Sequence, residues 1–347
     1  MHDEYQAVVE ATRGEVVESV HFGALTIVDS DGKLLASYGD PMAVSCLRSS
    51  SKPLQILQFV EDGGVEKYGI TEKELSVMCA SHSGTDDHAE TVASIQRKIG
   101  ASESDLLCGT HYPIDKATTE RMRKLDQVPT PNQHNCSGKH SGMLANAKLH
   151  GFDIQEYIRE DHPLQKMILK TFAEMCGVEV DEVKLGIDGC SVPVFAIPMY
   201  NTALGFARLA NPEHLSEKRA IACRKITHAM MTHPFMVAGP NRFDTALMEA
   251  AGGRIFCKGG AEGYQGIGIL PGTLPGQEKG IGISIKISDG DNGGRARPVI
   301  AMKLFRELGL VDDAFYASMA GYDRRPIYNW RHFEVGELRP CFELNYA

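Results

Sequence analysis

Apolar and polar residues alternate along most of the first forty residues, which is the pattern of β-strands with one buried face. Asp31 and Gly32 separate the apolar runs ALTIV and KLLASY, and this pair predicts a tight hairpin turn. After residue 253 the runs GRIFCKGG, YQGIGIL and GIGISIKIS predict strands again, the last two joined by the loop 271–280. Both ends of the chain are therefore expected to be rich in strands.

The middle of the chain has helical spacing and helix-end signals instead. Thr71 and Glu74 form a capping box before one apolar run, and Gly100 and Gly177 follow the ends of two others. The run SEKRAIACRKITHAMM continues this helical block, which covers about 50–250. The middle is therefore expected to be mainly helical.

Together these elements predict an α+β fold. The N-terminal strands, about 5–40, and the C-terminal strands, about 253–290, are expected to form one antiparallel sheet flanked by the helices. A last helix is expected near Pro298 to Leu308, before the C-terminal stretch. Because no linker divides the chain, we expect a single domain over residues 1–347.

Composition and charge exclude several classes of protein. The chain has 347 residues with 43% hydrophobic composition, so it can bury a substantial core. Its net charge is −9 with no block of one sign, which argues against nucleic acid or an anionic membrane as partner. The start MHDEYQAVVEATRG lacks a signal-peptide pattern, and the nine cysteines include no CxxC pair. We therefore expect a cytoplasmic protein without a disulfide framework.

The first candidate for chemistry is the run RSSSKP. Pro53 fits the first turn of a helix, so Ser49 to Lys52 is expected to form the turn that leads into it. Ser49 and Lys52 are three residues apart and can share a proton there. A serine hydroxyl becomes a nucleophile when a neutral lysine removes its proton, and Arg48 is a second cation that favours the neutral form. The alternative is that the serines cap the helix and Lys52 is solvated.

Two later stretches follow the order of motifs in Ser-Lys acyl-transfer enzymes, namely S-x-x-K, a serine-containing turn and a K-T-G strand. CASHSGTDDH supplies Ser81 and Ser83 after a helix, and FCKGGAEG supplies Lys258 on a strand. No asparagine follows two residues after the serine, and Gly259 replaces a hydroxyl residue, which puts beta-lactam chemistry in doubt. The alternatives are that Ser81 bonds to backbone and that Lys258 lies at an exposed strand end.

A further cluster lies in HNCSGKHSGMLANAKLHG and IDGCSVPVF. A helix is expected from about Gly142, with its free amides facing Cys136, Lys139 and His140, which favours an anionic ligand. Cys136 and Cys190 are two isolated cysteines, whereas a zinc signature needs three or four Cys or His at characteristic spacing. From spacing alone, buried thiols are favoured over a metal site.

Seven motifs together resemble the class 3, rhizobial-type L-asparaginases: RSSSKPLQ, CASHSGTDDHAE, CGTHYP, NCSGKHSGMLA, DGCSVPVFAIPM, MTHPFMVAGPNRFDT and CKGGAEG. The likeness runs from about Val20 to Lys286. It implies hydrolysis of L-asparagine to L-aspartate and ammonia, a homodimer, and the fold of serine beta-lactamases and glutaminases.

The resemblance also implies roles for individual residues. The catalytic residues would be two pairs, Ser49 with Lys52 and Ser81 with Lys258. Zn2+ would be held by Cys136, Lys139 and Cys190 with a water, assisting substrate binding rather than generating the nucleophile. The residues that we expect to bind substrate are Arg48, Lys139, His140 and Asp188.

The predicted reaction is a double displacement in which Ser49 attacks, with Lys52 as base, and Ser81 and Lys258 relay protons. Three other readings stay open. A related Ser-Lys amidase would act on glutamine or a beta-lactam. A zinc hydrolase would use metal-bound water. A non-enzymatic protein would bind a small molecule and release no product.

Overall fold

The computed structural model describes residues 4–274, 276–310 and 312–347. Residues 1–3, residue 275 of the predicted loop 271–280, and residue 311 lie outside the described residues. The helices are α1 Lys52–Gln55, α2 Leu57–Glu61, α3 Gly64–Tyr68, α4 Glu72–Met78, α5 Asp86–Ile99, α6 Lys116–Lys124, α7 Ser137–Leu149, α8 Pro163–Cys176, α9 Met199–Ala210, α10 Glu217–Thr232, α11 Pro234–Val237, α12 Phe243–Ala251, α13 Ala296–Glu307 and α14 Asp313–Asp323.

The strands are β1 Gln6–Arg13, β2 Val16–Asp29, β3 Leu34–Tyr38, β4 Val44–Cys46, β5 Lys184–Ile187, β6 Pro193–Pro198, β7 Ile255–Gly260, β8 Tyr264–Ile269, β9 Ile281–Ile287, β10 Arg325–Tyr328, β11 Glu334–Pro340 and β12 Asn345–Tyr346. Most of them form one antiparallel sheet in the order β10-β11-β1-β2-β9-β8-β7, with β3 paired to β2 and β12. Strands β4, β6 and β5 form a second, smaller sheet.

The large sheet joins the two ends of the chain. Val9 of β1 is paired with Pro340 of β11, and Gly23 of β2 is paired with Ile287 of β9. The predicted α+β fold, with N- and C-terminal strands in one sheet and helices packed on it, is therefore confirmed.

Helix α9 lies directly on the centre of this sheet, and the repeated GIGI pattern explains how. A Cβ at Gly282 of β9 would lie 1.8 Å from the carbonyl oxygen of Ala203, and one at Gly266 of β8 would lie 2.2 Å from the Phe206 ring. Any larger residue at these positions would push the helix off the sheet. The glycines therefore set the distance between the two layers.

Most predicted helix ends are confirmed. The Thr71–Glu74 capping box begins α4, and α5 and α8 end at Gly100 and Gly177 in the left-handed conformation. The run after Pro53 is broken into two short helices, α1 and α2. The last predicted helix is confirmed as α13, whereas α14 and the strands after it were not predicted.

The predicted start of a helix at about Gly142 was wrong. Helix α7 begins at Ser137, with Cys136 as its N-cap residue. The small residues of this segment are typical of a loop, but in the structure they allow α7 to pack closely against α4. A Cβ at Gly138 would lie 2.0 Å from the Val77 carbonyl oxygen of α4, so only glycine lets the two helices approach this closely.

No helix in the described part of the chain is both long and apolar enough to cross a membrane. The nine cysteines are free thiols, and seven of them are buried. That the chain forms a single domain over 1–347 stays a prediction.

Candidate active site

A cavity of about 380 Å³ opens where the segment after β4, the segment after α4, the start of α12 and the end of β7 meet. This volume is within the usual range for small-molecule sites, roughly 300–1,000 Å³. Two of the predicted catalytic hydroxyls, those of Ser49 and Ser81, line it. The other lining residues are Ile114, Asn135, Asn241, Arg242, Phe243, Asp244, Gly259, Gly260, Ala261, Gln265, Gly293, Gly294, Arg297, Pro298, Tyr322 and Arg325.

Ser49 lies in a 3-10 turn, Arg48–Ser51, whose neighbours fix it against the sheet. The Ser50 hydroxyl donates to the Lys258 carbonyl at 2.8 Å, which ties the turn to β7. A Cβ at Gly260 would lie 2.5 Å from the Leu47 carbonyl oxygen, so this approach of turn and strand requires glycine. Among the described residues the half-buried Ser49 hydroxyl has no hydrogen-bond partner, which leaves it free toward the cavity.

Arg48 has a left-handed backbone, with φ of 50°, which is uncommon for a residue with a side chain. Its guanidinium donates to Asp188 Oδ1 at 2.8 Å and so pins the turn to the loop between β5 and β6. Burial works to raise the pKa of Asp188, but the charges of Lys139 and Arg48 outweigh it and lower that pKa. Arg48 and Asp188 therefore form an ion pair at the turn that carries Ser49.

Lys52 is the best-connected amine of the site, and only 1% of it is exposed. Its Nζ donates to the Ala80 carbonyl at 2.5 Å, to Ser81 Oγ at 2.9 Å and to Cys136 Sγ at 3.2 Å. Ser81 is itself held by a backbone bond from its N–H to the Val237 carbonyl at 3.0 Å. The alternative that Lys52 is solvated was therefore wrong.

Lys258 lies on β7 and is also 1% exposed, so the alternative of an exposed strand end was wrong as well. Burial lowers its pKa to about 7, against the opposing effect of the Asp244 charge. Its Nζ donates to the Gly259 carbonyl at 2.6 Å. An amine with this pKa is partly neutral at pH 7 and can accept a proton there.

Asp244, in the first turn of α12, was missed by the sequence reasoning. It accepts hydrogen bonds from the Gly259 N–H at 2.6 Å and from Gln265 Nε2 at 3.0 Å. Burial would raise the pKa of this carboxyl, but Lys258 and the Gly259 N–H outweigh it and lower that pKa. Asp244 thus remains ionised and holds the end of β7 in place. Its motif, NRFDT, was among those that carried the family resemblance, but nothing in the motif assigned it this contact.

Cys136, Lys139 and Cys190 come together beside Lys52. Lys139 Nζ donates to Cys190 Sγ at 2.9 Å. A hydrogen bond from Cys190, with the neighbouring Lys52 and Lys139, holds the pKa of Cys136 well below its ordinary value. Burial acts to lower the pKa of Lys139, but the two sulfur atoms outweigh it and raise that pKa. The cluster is therefore a buried set of sulfur atoms with cationic neighbours.

The donors of this cluster fit a zinc ion, because zinc in proteins prefers sulfur and nitrogen ligands. His140 lies beside Cys190 at the edge of this cluster. Burial lowers its pKa to about 4, and among the described residues its buried Nε2 has no hydrogen-bond partner. Its Nδ1 is engaged with the Tyr157 hydroxyl at 2.7 Å, which fixes the ring. Within the described residues, no group of three or more His, Cys, Asp and Glu side chains could hold a metal, so the lysine nitrogen would be a necessary ligand.

The predicted catalytic residues lie close together in the structure, but their contacts differ from the predicted pairs. Lys52 reaches Ser81, while neither a Ser49–Lys52 nor a Ser81–Lys258 hydrogen bond forms among the described residues. The predicted substrate-binding residues lie beside the sulfur cluster and are absent from the described lining of the cavity: Arg48, Lys139, His140 and Asp188. The sequence reasoning also missed three arginines that do line it: Arg242, Arg297 and Arg325.

The chain is similar to one protein family and, more distantly, to several solved structures. The sequence model of the L-asparaginase II family matches residues 9–340. Among solved structures, the chain is similar to a probable glutaminase from Bacillus subtilis complexed with 6-diazo-5-oxo-L-norleucine, at 12% identity and a TM-score of 0.39, covering 83% of this chain and 84% of that chain. It is also similar to a Bacillus glutaminase studied in the presence of 4.3 M NaCl, at 11% identity and a TM-score of 0.39, covering 83% of this chain and 91% of that chain. No curated protein matched.

Proposed function

Since the chain belongs to the L-asparaginase II family and is an amidohydrolase of the Ser-Lys type, we propose that it hydrolyses L-asparagine to L-aspartate and ammonia. The observation that carries this proposal is the shared cavity. It holds an unengaged serine hydroxyl at Ser49 and a second hydroxyl at Ser81 that is bonded to a buried lysine amine.

The proposed reaction has two steps. Ser49 Oγ bonds to the side-chain amide carbon while Lys52 accepts the hydroxyl proton, and the carbon–nitrogen bond breaks to release ammonia. Water then hydrolyses the ester, giving L-aspartate and restoring the Ser49 hydroxyl. Ser81 and Lys258 relay protons between the amines and the leaving nitrogen. The contact of Lys52 with Ser81 supports such a relay, because a proton can pass along this hydrogen bond.

Lys258 is the second amine in this proposal, and its burial supports the role. A pKa near 7 makes its neutral and charged forms comparable at neutral pH, so it can both accept and return a proton. Asp244 acts as a positioning residue that holds the end of β7. The glycine-rich segment 259–261 also lines the cavity. The Gly259 N–H is already donated to Asp244, so we expect an oxyanion donor in this segment to be the N–H of Gly260 or Ala261.

The test measures ammonia release by the purified protein from L-asparagine, L-glutamine and a chromogenic beta-lactam. We expect turnover of L-asparagine to exceed that of the other two. Added hydroxylamine should intercept the ester and give aspartyl hydroxamate, which an acyl-enzyme requires. Preferred turnover of L-glutamine or of the lactam would overturn the substrate assignment. Ammonia release without any hydroxamate would count against the ester.

We further propose that Cys136, Lys139 and Cys190 hold a zinc ion, for which Lys139 must give up its proton. When bound, the ion would supply a Lewis acid that strengthens the binding of a substrate oxygen. We expect one zinc per chain, lost in Cys136→Ala and Cys190→Ala and kept in the matched buried-thiol control Cys223→Ala. Zinc content by mass spectrometry decides this, and retention of zinc by both site variants would contradict it.

A chelator distinguishes this role from that of a zinc hydrolase. If serine is the nucleophile, metal removal should raise KM and leave turnover at saturating substrate largely intact. If metal-bound water were the nucleophile, the same treatment would abolish turnover.

The homodimer and the cytoplasmic location are also proposals. The free, mostly buried thiols support a reducing compartment. The dimer comes from the family resemblance, and light scattering of the purified chain tests it, since a mass equal to one chain would contradict it.

A further inference from the structure

One part of the cavity wall is rich in arginine. Arg242, Arg297 and Arg325 line it together with Ser49 and Ser81. None of the three belongs to the Ser-Lys machinery or to the sulfur cluster. Their positive charge faces a space in which the proposed reaction places an uncharged amide, so it requires a separate explanation.

Two of these arginines are hydrogen-bonded to other groups of the chain. Arg297 donates from Nε to the buried carboxylate of Asp291 at 2.9 Å and from Nη1 to the carbonyls of Gly260 and Tyr264. Arg325 donates from Nη1 to the Gly294 carbonyl at 2.6 Å. Both side chains therefore have a structural task in holding the segments that surround the cavity.

Arg242 differs from them. Among the described residues its half-buried guanidinium has neither a hydrogen-bond acceptor nor an acidic partner. Its backbone position is set by its place as the N-cap residue of α12, directly after Asn241, whose φ is 57°. The next residue, Phe243, packs edge-on against Tyr322, with 5.3 Å between ring centres.

An arginine in a cavity wall whose N–H groups find no acceptor in the described part of the chain is arranged for an anionic ligand. Its planar fork of N–H groups matches the two oxygens of a carboxylate, and the pair strengthens as water leaves the cavity. The neighbouring carboxylate of Asp244 is already used by the Gly259 N–H and by Gln265, so it leaves Arg242 unneutralised by a direct bond.

We propose that Arg242 binds the α-carboxylate of the substrate and so restricts the enzyme to amides that carry a nearby carboxylate. This inference rests on the proposed function, because it takes the hydrolysed amide to lie at Ser49. It assigns the substrate-anchoring role to the start of α12 rather than to the residues around the sulfur cluster that the sequence suggested.

The experiment compares two substrates that differ in one group. L-asparagine carries the carboxylate, and 3-aminopropanamide is the same molecule without it. For Arg242→Gln we expect kcat/KM with L-asparagine to fall about 10²–10³-fold, because a site built for a charged group loses its partner. With 3-aminopropanamide, kcat/KM should change by less than about 3-fold. Arg242→Lys should recover part of the activity on L-asparagine, since it restores the charge without the fork.

The matched control is Arg325→Gln, which removes a second arginine from the same wall. Its effect on the ratio of the two substrates should be far smaller. Equal losses of kcat/KM on both substrates in Arg242→Gln would overturn the proposal. So would a loss of the preference for L-asparagine in Arg325→Gln but not in Arg242→Gln. Circular dichroism of each variant confirms that it is folded before the ratios are compared.

Failure of the proposed function gives a different result. In that case the wild-type protein would release no ammonia from either amide. Calorimetric titration with L-asparagine and with 3-aminopropanamide then tests Arg242 directly. Loss of L-asparagine binding in Arg242→Gln would support the carboxylate site, and unchanged binding would refute it.

Discussion

Lys52 and Lys258 are equally buried, yet their surroundings differ. Lys52 begins a helix, and three acceptors lie within 3.2 Å of its Nζ. One of them is the sulfur of Cys136, so this amine also belongs to the sulfur cluster.

Lys258 lies at the end of a strand, and among the described residues its Nζ donates to one acceptor, the Gly259 carbonyl. Burial without a full set of partners lowers its pKa to about 7. The comparison teaches that two equally buried lysines of one site can differ in how firmly the amine is held, Lys52 by three acceptors and Lys258 by one among the described residues. The predictions below test this difference, from the largest expected effect to the smallest.

The largest effect is expected from Ser49→Ala, because it removes the proposed nucleophile. We expect kcat for ammonia release to fall by about 10³-fold or more, since no ester can form. Ser51→Ala is the matched control, because the Ser51 hydroxyl donates to the Arg48 carbonyl at 2.8 Å. Near-normal ammonia release by Ser49→Ala would show that another group is the nucleophile.

Replacing each lysine by methionine separates the two environments. Both variants should lower kcat by about 10²–10⁴-fold, as expected for loss of a proton-transferring group. Lys52→Met should also raise the pKa of Cys136, because it removes a cation bonded to that sulfur. Titration of the thiolate absorbance measures this, and an equal shift in Lys258→Met would erase the distinction.

The pH dependence of the wild-type protein is the next test. If neutral Lys258 is needed, activity is present above its pKa and is lost as the pH falls through about 7. At pH 6 about one amine in ten is neutral, so kcat/KM should be roughly tenfold below its plateau. A flat profile between pH 6 and 8 would argue that Lys258 does not take part in proton transfer.

The smallest effect is expected from Asp244→Asn. The Asp244 charge raises the pKa of Lys258, so its removal should lower that pKa further and move the rising limb of the profile below pH 7. Asparagine keeps an oxygen that can accept from the Gly259 N–H, so kcat at pH 8 should fall by less than about 10-fold. Asp86→Asn, in an exposed pair with Arg121, is the control that should leave the profile unchanged. An unmoved profile in Asp244→Asn would remove this carboxylate from the tuning of Lys258.

Much of the fold could be predicted from the sequence, because its signals are local. The capping box at Thr71 and the glycines at 100 and 177 fix helix ends through contacts within four residues. The start of helix α7 was predicted five residues too late. Glycine is required at position 138 because the helix contacts Val77 of α4 there, and residues adjacent in sequence do not indicate such a contact. Among the missed C-terminal strands, β11 and β12 pair with β1 and β3, which lie more than 300 residues earlier in the chain, whereas β10 pairs with the adjacent β11.

The sequence by itself determined that a serine and a lysine lie in one turn before Pro53, because these residues are close together in the chain. Its motifs also placed the chain in an amidohydrolase family, because a motif depends only on the identity and order of its residues. Only the tertiary structure decided that Lys52 contacts Ser81, that Asp244 holds the strand of Lys258, and that Arg242 has no hydrogen-bond or ion-pair partner among the described residues. The physical reason is that hydrogen bonds and burial depend on which distant segments meet in space. These contacts in turn set the pKa of a side chain and decide whether its hydrogen-bonding groups are available to a ligand.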